Sequence, residues 1–164
     1  ITMFKISLNT IQEPYKNIKL QFSAKNINET DFADLYYLCL DRLFPKDETL
    51  FMKGVLNFVF LLVNWKRKIA KTPIGQYAFL PFDFSDEYLG GIYLRRKAEG
   101  ILEVTYGVSR EFRGPFYSPV QIDLITPQNE ELILRYDYWE MTQVEVMSII
   151  DEGLFDILNG LKDQ

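Results

Sequence analysis

The sequence contains no histidine and a single cysteine, Cys39. Without imidazole the chain lacks the commonest general base, the commonest metal ligand and the usual pH switch near neutrality. Ser-His-Asp and Cys-His catalysis are excluded within it. So are zinc sites of the usual kinds, whose ligands one cysteine and no histidine cannot supply. An internal disulfide is excluded too, and Cys39 falls on an apolar helical pattern that reads as core, not as a nucleophile. Neither a phosphate-cradling glycine loop, a dinucleotide fingerprint nor a calcium-loop pattern occurs, so no cofactor and no metal are expected. Asn57 and Asn64 sit inside or beside the longest apolar stretch, which falls far below the roughly 20 residues a bilayer requires. No membrane span is expected. The lack of disulfides, with no visible secretory or lipidation motif, points to the cytoplasm. Met3 reads as the native start, with Ile1 and Thr2 as additions; a processed N-terminus is the alternative.

Net charge is −5, with a pI near 4.8. That balance argues against general nucleic-acid binding, which needs a basic patch. The basic cluster Lys66, Arg67, Lys68 and Lys71 is explained by the negative end of a helix dipole. An acidic surface can instead recognise a basic protein through complementary potentials. Phe, Tyr and Trp make up 15% of the chain. Most of them fit a large aromatic core, and the surplus fits a binding face, where Tyr and Trp are enriched.

At 164 residues, 48% of them hydrophobic, the chain is expected to be one domain over 1–164 with a sizeable core. Its greasiest part, 54–65, predicts a central helix over 48–70. Asp47 serves as N-cap, Phe51, Val55, Phe58, Leu62 and Trp65 recur at three-and-four spacing, and Lys53, Asn57, Asn64 and Lys68 form a thin polar stripe. Alternating residues predict strands at 2–8 and 18–24, paired as a hairpin. Asn28 is expected to cap a helix from Glu29 to about Leu43, ended by Pro45. Asn28-Glu29-Thr30 also matches a glycosylation acceptor, which the helix cap explains better.

Beyond Gly75 the pattern turns to strands: an aromatic one at 77–84, a hairpin of 88–97 with 101–110, and further strands at 120–125 and 132–139. Gly90-Gly91 marks a bulge or a close approach to the backbone. Thr142-Gln143-Val144-Glu145 is a capping box that opens a final helix to about Leu161, with Met147, Ile150, Leu154, Ile157, Leu158 and Leu161 inward. The order predicts an α+β fold: a mainly antiparallel β-sheet with three helices, a buried central helix packed against the middle of the sheet.

Carboxylates are the main acid–base groups left. Asp83, Asp86 and Glu87 cluster at a turn, and Asp137 and Glu140 flank Tyr138-Trp139. Paired carboxylates can hydrolyse glycosides or hold a divalent ion, but neither cluster has a diagnostic spacing. The stretch 111–119, Glu-Phe-Arg-Gly-Pro-Phe-Tyr-Ser-Pro, is a stronger candidate, because a restricted loop can present rigid aromatic anchors. If one face of the sheet is solvated, Tyr93, Arg95, Thr105, Arg135, Asp137 and Trp139 would extend that surface. The expected binding residues are Asp86, Glu87, Phe112, Arg113, Phe116, Tyr117, Asp137 and Trp139. The expected function is non-enzymatic binding of another, basic protein, as in the toxin-neutralising immunity-type proteins of bacteria, a class-level analogy. A carboxylate-dependent hydrolase of sugar or phosphate esters and a homo-oligomeric structural subunit are the alternatives.

Overall fold

The computed structural model describes residues 3–9, 18–24, 27–33, 50–111 and 131–162. Its elements run β1 (Met3–Leu8), β2 (Ile18–Ala24), β3 (Ile27–Ala33), α1 (Leu50–Lys71), β4 (Tyr77–Phe84), β5 (Leu89–Ala98), β6 (Ile101–Ser109), β7 (Leu132–Leu134), β8 (Trp139–Thr142) and α2 (Gln143–Lys162). The fold is α+β with antiparallel pairing throughout these strands. It differs from the expectation in having two sheets, and two helices among the described residues where three were expected.

The smaller sheet has the order β1-β2-β3. Alternation puts Phe4 opposite Phe22 and Ile6 opposite Leu20 on one buried face. The helix expected from Glu29 is corrected at its start, because 27–33 is a strand paired with β2 from Asn28↔Ser23 to Ala33↔Ile18. Asn28 gives a local capping signal, but pairing with a neighbouring strand decides the backbone. That pairing sets Glu29 and Asp31 on the same face as Phe22 and Leu20. There they meet partners from the other sheet: Tyr136 donates its hydroxyl hydrogen bond to Glu29 (2.5 Å), and Arg135 pairs with Asp31 (2.5 Å). The remainder of that expected helix, Cys39 included, lies outside the described residues, as does the expected strand at 120–125.

The larger sheet runs β4-β5-β6-β7, with β8 also on β6. The single strand expected at 132–139 is broken. β7 pairs with the end of β6 and β8 with its start, and 135–138 passes between them. Gly90-Gly91 fulfils both readings given to it. The register shift lies opposite, between Pro81 and Asp83, and a Cβ at Gly90 would stand 2.5 Å from the Tyr106 hydroxyl. At Gly91 a Cβ would run into the Leu80 carbonyl oxygen.

Helix α1 buries Val55, Phe58, Leu62 and Trp65 as the spacing predicts, and Ile69 one turn further on; the Phe51 side chain lies outside what is described. Full burial of each large apolar side chain contributes about 1.5–3 kcal/mol. One expectation is corrected. The helix lies along the edge strand β4, not the middle of the sheet: Trp65 Nε1 donates to Pro81 O (3.0 Å), Lys68 Nζ donates to Phe79 O (2.9 Å), and Phe58 packs edge-on against Phe82. The polar stripe also turns inward. Asn57 and Asn64 are buried, whereas Phe60 and Val63 are 51% and 42% exposed. A sheet edge offers backbone carbonyls that need donors, so the stripe carrying Lys68 faces the protein.

The C-terminal end of α1 is held by Arg96, only 7% exposed. Its guanidinium donates to Thr72 O (2.5 Å), Ile69 O (2.6 Å) and Gln143 Oε1 (2.7 Å), joining both helices to β5. Helix α2 starts at the expected capping box. Thr142 N donates to Glu145 Oε2 (2.7 Å) and Glu145 N to Thr142 Oγ1 (3.1 Å). Its buried stripe is Val146, Ile149, Ile150, Gly153 and Ile157, while Leu158, expected inward, is exposed. The cause is the approach to β1: Gly153 sits against Ile6, where an added Cβ would come within 2.9 Å. Buried side chains of both sheets and both helices form one cluster. Among the described residues no helix is long and apolar enough to cross a membrane.

Candidate functional site

Strand pairing collects acidic residues at one end of the larger sheet. Leu89 stands opposite Ser109, and Ser109 opposite Leu132. The turn before β5, the two residues after β6 and the residue before β7 therefore share that end. The turn is fixed by Ser85 N donating to Tyr88 O (3.1 Å) and Glu87 N to Ser85 Oγ (3.2 Å). It presents Asp86 and Glu87 to solvent. After β6, Glu111 N donates to Ser109 Oγ (3.3 Å).

Between these segments lies an open concavity of about 550 Å³, lined by Asp86, Glu87, Tyr88, Val108, Arg110 and Ile133. Tyr88, Val108 and Ile133 give it an apolar wall. Tyr88 is anchored by donating to Asp83 Oδ2 (3.0 Å). Burial, then the Asp83 charge and hydrogen bond, pushes the Tyr88 hydroxyl up to about 12, so it stays a neutral donor. Partial desolvation, then the Glu131 charge and a hydrogen bond between the two carboxyls, raises the Glu111 pKa above the usual carboxylate value. Asp86, Glu87 and Arg110 thus line the concavity, and the Glu111–Glu131 pair lies at the same end of the sheet. A cation arriving there would relieve repulsion between carboxylates as well as gain attraction.

Of the residues expected to bind, Asp86 and Glu87 line this concavity. Phe112, Arg113, Phe116 and Tyr117 lie outside the described residues. Glu111 and Glu131 are hydrogen-bonded to each other. Asp137 and Trp139 are elsewhere, at the break between β7 and β8. Asp137 is exposed. Trp139, opposite Val104, turns toward the smaller sheet, its ring 6.0 Å from Phe22. Tyr106 and Tyr136 pack on the same Phe22 ring at 5.3 and 5.7 Å. This junction is sealed by the Arg135–Asp31 and Tyr136–Glu29 contacts.

The broad surface expected from Tyr93, Arg95, Thr105, Arg135, Asp137 and Trp139 is not formed. Tyr93 and Thr105 are buried, Thr105 donating to Tyr136 O (2.7 Å), and Trp139 points the other way. Nor do the carboxylate groups join. Glu140 pairs with Lys97 (2.9 Å) opposite Glu103, far along β6 from Asp86 and Glu87. Among the described residues no group of three or more His, Cys, Asp or Glu could hold a metal ion. Sequence reasoning missed Tyr88, Arg110, Glu131 and Ile133. Only the β6–β7 pairing brings Glu131 beside Glu111, and no local pattern signals it. The chain matches no protein-family model, no curated protein and no solved structure.

Proposed function

We propose that the protein is a non-enzymatic binding domain that receives a basic protein at the acidic end of its larger sheet. The observation that supports this reading is the concavity that combines Asp86 and Glu87 with the apolar wall of Tyr88, Val108 and Ile133, beside the Glu111–Glu131 pair. Apolar area drives association, and the carboxylates choose a cationic partner and steer its approach. A toxin-neutralising immunity-type protein, acting in the cytoplasm by occluding a basic partner, is the class this arrangement fits. The test is charge reversal. Glu87→Lys with Glu131→Lys should weaken association with a co-purified partner at least about tenfold, since each close charge pair is worth 1.4 kcal/mol or more. Both side chains are exposed, so the thermal midpoint should hold. Unchanged association would refute the reading.

One observation favours the hydrolase alternative. A carboxyl held above its usual pKa beside a second carboxyl can act as a general acid. Against it stand the exposure of Glu111 and the distance of Asp137 and Glu140 from this end of the sheet. Turnover of nitrophenyl glycosides or nitrophenyl phosphate that Glu111→Gln abolishes would decide for it.

A further inference from the structure

Resting on the reading above, that a basic protein docks at the acidic end of the larger sheet, we infer that an extended segment of that partner pairs with the outer edge of β7 as an added strand. The two edges of this sheet are covered differently. Along β4 runs α1, whose Trp65 Nε1 and Lys68 Nζ donate to Pro81 O (3.0 Å) and Phe79 O (2.9 Å). At the other end of the strand order stands β7, with no strand beyond it among the described residues.

One bond sets the direction of the β7 backbone groups. Arg135 N donates to Tyr106 O (2.9 Å), which continues the register Leu134↔Gly107, Ile133↔Val108 and Leu132↔Ser109. In an antiparallel ladder, hydrogen-bonded and non-hydrogen-bonded pairs alternate. Ile133 therefore bonds to β6, and the amides and carbonyls of Leu132 and Leu134 point away from it. Those outward groups meet no hydrogen-bond partner among the described residues.

Nor is this edge defended by its sequence. Edge strands discourage pairing with Lys, Pro or a bulge. β7 is Leu-Ile-Leu, with Ile133 55% and Leu134 38% exposed. The residue after it, Arg135, is committed to Asp31. The strand is short, but Leu132 and Leu134 together offer two donors and two acceptors to an incoming main chain.

The two faces of β7 specify the segment. Ile133 lines the concavity with Tyr88, Val108, Asp86 and Glu87. Leu132 and Leu134 lie on the other face, where a Cβ added at Gly107 would run into Leu132 and press on Leu134. An added strand alternates its side chains between the same two faces. The segment that fits carries Lys or Arg at every second position, with the stem laid on Ile133 and the charge toward the concavity. Apolar residues stand between them, beside Leu134. Glu131, exposed at the start of β7, adds to the attraction.

The test is amide hydrogen exchange of the full chain, read by NMR, with a synthetic peptide of alternating Lys and Val as probe. The Leu132 and Leu134 amides should exchange at least about tenfold more slowly once the peptide saturates, because they gain hydrogen bonds, while Ile133, already bonded to β6, should change little. The same peptide N-methylated throughout keeps its side chains but cannot pair, and should bind at least about tenfold more weakly, the worth of two net hydrogen bonds. Binding that Glu87→Lys with Glu131→Lys weakens, but that leaves both amides unprotected and ignores N-methylation, would overturn strand addition and leave the reading above standing. Binding that neither charge reversal nor N-methylation alters would overturn both. No binding of the peptide at millimolar concentration would overturn strand addition. So would protection of both amides in the chain alone, accompanied by a dimer in light scattering, since the edge would then belong to a second copy.

Discussion

Replacing Arg96 with Met removes a cation that is 7% exposed and tied to three acceptors, Thr72 O, Ile69 O and Gln143 Oε1. The Met stem refills most of the apolar contact that the Arg methylenes made. The hydrogen bonds are not refilled. Thr72 O and Ile69 O end α1 in a closed part of the structure, and Ile69 O keeps only a long bond from Thr72 N (3.4 Å). A buried acceptor left without a donor costs about 1–3 kcal/mol, more when the lost donor was charged. The exposed side of Gln143 can find water instead. The expected loss is therefore about 3–5 kcal/mol, a large part of the 5–15 kcal/mol typical of a whole domain. At about 2–4 °C per kcal/mol the thermal midpoint should fall by roughly 10 °C. Urea unfolding followed by far-ultraviolet circular dichroism gives the number. Arg96→Lys should fall in between, because one ammonium cannot span three acceptors in different directions. A loss below about 1 kcal/mol for Arg96→Met would refute the reasoning, because water would then be reaching both carbonyls.

Gly91→Ala should be costly, because its Cβ is driven into the Leu80 carbonyl oxygen where β4 is bulged; overpacking of this kind costs about 1–3 kcal/mol, read by the same urea titration. Thr142→Ala should cost about 1 kcal/mol by removing the hydroxyl that caps α2. Glu145 is held below its usual pKa by the Thr142 backbone amide, then the Thr142 side chain, so its contribution is full above the unfolded carboxylate pKa and is lost as pH falls through the folded one. Glu145→Gln should flatten that part of an acid titration of stability. At the acidic end the sign for binding follows from Glu111, whose pKa is raised: a cation prefers the ionised pair, so partner affinity should rise as pH climbs through that raised value, and Glu111→Gln should remove the dependence.

Periodic and local signals in this sequence reached a long way. Three-and-four spacing located α1, alternation located β1, β2 and β4 to β6, and Thr142-x-x-Glu145 marked the start of α2. Signals failed where a distant strand decides the outcome. Asn28 looks like a cap until β2 lies beside it, and no local signal shows that Arg135 and Tyr136 reach Asp31 and Glu29 from the other sheet. The polar stripe that carries Asn57 and Asn64 gave no sign of its direction, and it faces the protein because a strand edge also needs polar partners. The basic run at the end of α1 complements the helix dipole as read, but the side chain that bonds the last carbonyls is Arg96, 25 positions after Lys71, which no local pattern signals. At the candidate site, Asp86 and Glu87 were legible because a turn displays its carboxylates. Glu131 was not, since its proximity to Glu111 depends on β7 returning to β6.

The most direct measurement is site-specific photo-crosslinking in cells of the native host. A photoreactive phenylalanine analogue would stand at Glu87 in one variant and at Glu152, on the exposed side of α2, in another. The account predicts a discrete crosslink to a basic protein from position 87, reduced by Glu131→Lys, and none from position 152. A crosslink from 152 with none from 87 would contradict it.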